Sequence, residues 1–114
     1  MTPLLSIFLP IRLTTPNVQE YWVVKHRRNQ RLKWTIWTEL GKRNRPDKIE
    51  KVRFVKIGGR RMDDDNFIYS LKFVRDNFCS WLVPGKAPGQ ADGKIRFEYE
   101  QIKGKPAGVR IEVY

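Results

Sequence analysis

The segment from Phe67 to Leu82 is the strongest constraint on the fold. Phe67, Ile68, Leu71, Val74, Phe78, Trp81 and Leu82 recur at intervals of three and four, which predicts a helix of about Asn66 to Val83 with one buried side. Asp65, Tyr69, Lys72 and Asp76 occupy its opposite side. A helix this apolar on one flank needs a second layer to lie against. Leu5, Ile7, Leu9, Ile11 and Leu13 alternate, which predicts a strand with one buried face, and Pro10 lacks the amide hydrogen of an inner strand, so the strand is expected at an edge or a bulge. Ile49 to Ile57 reads as another strand, ended by Gly58-Gly59. After a loop from Pro84 to Gly93, Ile95, Phe97 and Tyr99 alternate with charged residues. Val109, Ile111 and Val113 alternate again beyond a turn at Lys103 to Gly108, so a hairpin is expected.

A further helix is predicted from about Asn17 to Gly41, opened by Asn17 and Glu20 at capping-box spacing. Val18, Tyr21, Trp22, Leu32, Ile36 and Leu40 share one stripe, so both ends of this helix are expected to be buried. Lys25 and Asn29 interrupt the stripe. Val23, Trp34 and Trp37 make a second apolar patch, which we read as the seam of a homodimer. The resulting order β-α-β-α-β-β, with two main helices on one side of a small mixed sheet, predicts an α+β fold. At 114 residues the chain is expected to be a single domain, residues 1–114.

Twenty-three Lys and Arg against twelve Asp and Glu give a net charge of +11. Such a surface attracts polyanions, and nucleic acid is the leading partner. Cys79 is the one cysteine and cannot form an internal disulfide. The N-terminus carries no basic region followed by a long apolar run, and Pro3 and Pro10 break up the only apolar stretch there. The expectation is a reduced, cytoplasmic protein without a membrane span. One Cys and one His exclude a zinc finger, and nothing in the chain suggests a small-molecule cofactor.

Against this charge, Asp63-Asp64-Asp65 is the odd feature. Like charges so close need a cation or a helix N-terminus beside them. In an extended approach to the helix, Asp63 and Asp65 would point the same way, and hard carboxylate oxygens suit Mg²⁺ or Mn²⁺. Alternatively, Asp64 or Asp65 caps the helix. A calcium loop is unsupported, because Ile68 and Val74 stand where its Gly and Glu belong. Asp76 lies ~16 Å along the helix from Asp65, too far to share an ion. Asp92, on the glycine- and proline-rich loop, is the better third ligand, although Asp92-Gly93 is also an ordinary turn dipeptide.

The run Arg60-Arg61-Met62-Asp63-Asp64-Asp65-Asn66-Phe67 resembles the signature of the RusA family of Holliday junction resolvases: an arginine-rich strand end, Asp-x-Asp-Asn, and an apolar residue opening a helix. The basic helix after Pro16-Asn17, the stretch Leu71 to Asp76, Tyr99-Glu100-Gln101 and the closing Gly108 to Val113 are similar to phage and prophage members, so the resemblance covers most of the chain. It implies a RusA-like fold and a homodimeric, Mg²⁺- or Mn²⁺-dependent endonuclease that resolves branched DNA by paired nicks. By the same resemblance Asp63 and Asp65 match the paired metal-binding acids, and Asp92 matches the distal acid. Two departures stand out. Tyr69 occupies the position of a family lysine, leaving Lys72 in the next turn as its substitute, and Ala91 precedes Asp92 where the family usually has another acid.

Lys25, Arg27, Arg28, Arg31, Arg60 and Arg61 are candidates for phosphate contacts, which supply affinity without reading sequence. The inward stripe would bring Lys25 and Asn29 near Asp63 and Asp65. Tyr69 and Phe73 suit either a stacked base or dimer packing. Two rival functions follow from the same residues: a catalytically weak or inactive DNA-binding protein of the same fold, and a small RNA-binding protein of ribosomal type, which leaves the aspartates unexplained.

Overall fold

A computed structural model describes residues 2–13, 22–46, 48–82 and 95–114. Its elements are β1 (Leu5–Leu9), α1 (Trp22–Leu40), β2 (Lys51–Gly58), α2 (Asp64–Ser70), α3 (Lys72–Leu82), β3 (Arg96–Lys103) and β4 (Gly108–Val113). The strands form one mixed sheet in the order β1-β4-β2-β3, with β2 and β3 parallel and the other pairs antiparallel. This is the expected α+β class. β1 stops at Leu9, one residue before Pro10, and lies at an edge.

The core lies between one face of the sheet and the helices. Ile7 and Leu9, Val109, Ile111 and Val113, and Val52 and Phe54 meet Ile36 and Leu40 of α1, Phe67 of α2, and Val74, Phe78, Trp81 and Leu82 of α3. Phe54 is its centre, stacked 5.8 Å from Tyr99 and 6.3 Å from Phe97, and edge-on to Phe78 at 6.1 Å. Burying a side chain of this size contributes about 1.5–3 kcal/mol.

The expected hairpin is not formed. β3 and β4 lie on opposite sides of β2, and residues 104–107 carry the chain past the end of β2, where Gly104 N–H donates to the Gly58 carbonyl at 3.3 Å. Charge accords with this order. In a hairpin that pairs Phe97 with Val113 and Tyr99 with Ile111, Glu98 would face Glu112, and like charges directly opposite are destabilising. In the sheet Arg53 lies between them, in register with both, and its guanidinium pairs with Glu100 on one side and Glu112 on the other. Burial points the same way. Val52 and Phe54 are buried on the helix side of β2 and Val55 on the other, so β2 is a central strand.

The helix expected over Asn66 to Val83 begins at Asp64 and is interrupted at Leu71, giving α2 and α3. Ser70 Oγ donates to the Phe67 carbonyl at 2.7 Å, a back-bond of the kind that bends helices. Ile68, expected inside, is 44% exposed, because it lies past the edge of the stripe that Phe67 and Leu71 bury.

In α1 only the C-terminal half packs, against α3 and β1. All six residues from Trp22 to Arg27 are exposed, Trp22 by 76%, so the burial expected at the N-terminal end does not occur among the described residues. Lys25 points to solvent and Asn29 is half-buried. The capping pair Asn17 and Glu20, with Val18 and Tyr21, lies outside the described residues. Trp37, assigned to a dimer seam, donates its indole N–H to Asn77 Oδ1 of α3 at 3.0 Å and so ties the two helices together.

Candidate active site and nucleic-acid surface

The acidic segment is held at two points by side chains that continue the inward alternation of their strands. Lys56 follows Val52 and Phe54 on the helix side of β2, and its ammonium donates to the Arg60 carbonyl at 2.6 Å. Burial holds the Lys56 pKa below its ordinary value. Gln101 follows Phe97 and Tyr99 on β3, in register with Lys56. Its Oε1 accepts the Met62 N–H and its Nε2 donates to the Met62 carbonyl, each at 2.8 Å. The Arg60 and Met62 carbonyls and the Met62 amide are thereby satisfied.

From this anchorage the three aspartates emerge in sequence. Asp63 occupies the N-cap of α2 with an extended backbone (φ −59°, ψ 145°) and no side-chain capping bond. Its carbonyl accepts the Phe67 N–H at 2.8 Å. Asp64 and Asp65 are already in the first helical turn, so the extended approach expected to align Asp63 with Asp65 covers Asp63 alone. The expected cap at Asp64 or Asp65 is likewise displaced to Asp63. All three are exposed, and Asp64 lies 3.4 Å from Arg61 Nη2.

Neither Asp63 nor Asp65 forms an ion pair with a described residue, so both carboxylates are available to a hard cation that keeps most of its waters. Among the described residues no group of three His, Cys, Asp or Glu gathers around one point. Asp92, the expected third ligand, lies outside the described residues, as does Ala91. Lys72 is exposed at the first residue of α3.

A cleft of about 720 Å³ runs beside this segment, between α2 and β3, the end strand of the described sheet. Arg61, Asp64, Phe67 and Ile68 line one side, and Phe97 to Gln101 the other. Arg60 and Arg61 are exposed next to the acids. Lys25, Arg27 and Arg31 are exposed on α1, while Arg28 is half-buried. The basic residues therefore fall into two groups, one beside the aspartates and one on the projecting half of α1.

Sequence reasoning missed Lys56 and Gln101. Their signal was present: each is a polar residue on the inward period-two positions of an otherwise apolar strand face, and inward polar groups need partners. Among the described residues no helix is long and apolar enough to cross a membrane. No protein-family model matches this chain, and neither a curated protein nor a solved structure matches it.

Proposed function

We propose that this protein is a RusA-like, metal-dependent, structure-selective DNA endonuclease that nicks branched DNA as a homodimer. The observation that supports it most is a pair of uncommitted carboxylates, Asp63 and Asp65, on a segment fixed by Lys56 and Gln101 and flanked by Arg60 and Arg61 in a chain of net charge +11.

In this reading Asp63 and Asp65 hold Mg²⁺ or Mn²⁺, with Asp92 as a third ligand. The ion, when bound, neutralises phosphodiester charge and makes water a better nucleophile. Arg60 and Arg61 hold the phosphates that flank the scissile bond. Lys72 supplies positive charge from the start of α3. Lys25, Arg27, Arg28 and Arg31 extend the phosphate track along α1. Gln101 and Lys56 position the acids and touch no substrate.

The test is a synthetic four-way junction incubated with purified protein and Mn²⁺. Paired, symmetric nicks that disappear in Asp65→Asn support the reading, and intact strands with a retarded complex refute cleavage. Tyr69 at the position of the family lysine favours a second reading, a DNA-binding protein of this fold that cuts weakly or not at all. Electrostatic groups of that kind are often worth a hundredfold or more in rate.

A further inference from the structure

Trp34 is 72% exposed on α1, and with Arg27, Gln30, Arg31 and Thr35 it lines a shallow hollow of about 510 Å³. Indoles are enriched at surfaces that a partner covers, and Trp34 shares its exposed patch with Val23 and Trp37. On a helix Arg27 and Arg31 lie about 20° and about 60° in rotation from Trp34, both to the same side of it and both on its N-terminal side, so two guanidiniums neighbour one flank of the indole. Neither arginine forms an ion pair with a described residue.

Charge selects the occupant. From Trp22 to Leu40 the helix carries Lys25, Arg27, Arg28, Arg31 and Lys33, and its one acid, Glu39, already pairs with Lys42 and Arg43 beyond the helix. A two-fold contact centred on this face would bring the Arg27 and Arg31 cluster against the same cluster of a second copy, and like charges repel. A membrane-surface helix separates its apolar side from its cationic side. Here Trp22, Trp34 and Trp37 alternate around the exposed half with Lys33, His26, Gln30 and Arg27, so the two are interleaved. Interleaved cation and aromatic is the composition that holds an unpaired nucleotide, with the ring against the base and the guanidiniums on neighbouring phosphates.

We propose that Trp34, with Arg27 and Arg31 lining the same hollow, is a stacking platform for an unpaired base of single-stranded DNA. It deepens the endonuclease reading, which gives α1 the phosphates alone, by assigning this helix the unpaired strand of a branched substrate. A dimer must then close through another face than the Val23, Trp34 and Trp37 patch.

The experiment uses the full chain in EDTA, so that cleavage plays no part, and a fluorescent oligothymidylate of about ten nucleotides. Trp34→Ala is expected to weaken binding about five- to a hundredfold, with Trp34→Phe recovering most of it. Wild-type protein should bind an abasic strand of the same length no better than Trp34→Ala binds oligothymidylate, a comparison that needs no variant to fold except the control. Arg27→Ala and Arg31→Ala should each lower the slope of affinity against salt. Equal affinity of wild type and Trp34→Ala for oligothymidylate, or equal wild-type affinity for the base-bearing and abasic strands, overturns the proposal. So does a Trp34→Ala variant that changes sedimentation from dimer to monomer with unaltered oligonucleotide affinity. The two readings fail separately: an uncut junction with base-dependent binding removes the nuclease alone, and paired nicks with base-independent binding remove the platform alone.

Discussion

Gln101 holds Met62 through both ends of its amide, accepting the Met62 N–H and donating to its carbonyl at 2.8 Å each, one residue before Asp63. A strand residue thus fixes the segment that presents the acids, at a distance of 39 residues in sequence. Substituting Gln101→Leu leaves the half-buried Met62 backbone without partners. The expected cost is about 1–3 kcal/mol in chemical denaturation. Junction cleavage should fall further than the lost stability explains, measured at a temperature where the variant remains folded.

Lys56 gives a pH signature. Burial lowers its folded pKa below the ordinary 10.5, so the unfolded chain binds the proton more tightly than the native one. Below the folded pKa the penalty is complete. As pH rises from that value towards 10.5 the penalty is relieved and stability contributed by this group increases. Lys56→Met should remove that upward component, so that the variant's denaturation midpoint rises less than the wild type's across alkaline pH and the gap between the two changes with pH. An unchanged profile would mean that the ammonium is not desolvated.

Asp63→Asn and Asp65→Asn separate chemistry from folding. Both side chains are exposed and Asp63 makes no capping bond, so each change should alter stability by less than about 0.5 kcal/mol. Cleavage of the junction should drop by about a hundredfold or more, while affinity is retained or improved as a negative charge leaves the phosphate surface. Unfolding of either variant would instead make the acids structural.

Arg53 links β3 and β4 across β2. Replacing it with Met leaves Glu100 and Glu112 on either side of β2 with no cation between them. Because Arg53 is 32% exposed, solvent screening limits the expected loss to about 1 kcal/mol. Glu112→Gln in the Arg53→Met background should recover part of it, which a double-mutant cycle by urea denaturation measures.

Much of the fold was legible because single residues announced it. Pro10 ended β1, Gly58-Gly59 ended β2, and the spacing Leu71, Val74, Phe78, Trp81 and Leu82 gave the buried side of α3. Alternation in β3 and β4 gave two strands but not their neighbours, since period two is the same in a hairpin and across a central strand. Arg53 carried the missing information as a cation needing an acid on each side. In α1 the interruption by Lys25 and Asn29 marked where packing stops, although the apolar residues before it suggested otherwise. Around the acids, the sequence showed Asp63 and Asp65 but not what braces them, because Lys56 and Gln101 become partners of that segment only through the parallel pairing of β2 with β3.

The register Leu5 with Val113 through Leu9 with Val109 gives β1 one sheet neighbour among the described residues, and that neighbour follows every other described element in the chain. During synthesis β1 therefore waits, with its ladder groups hydrated, until β4 emerges and slots between it and β2. Closing so long a loop is an entropic toll levied late, which places assembly of this sheet among slow, non-local folding events and makes β4 the keystone whose removal would set β1 adrift.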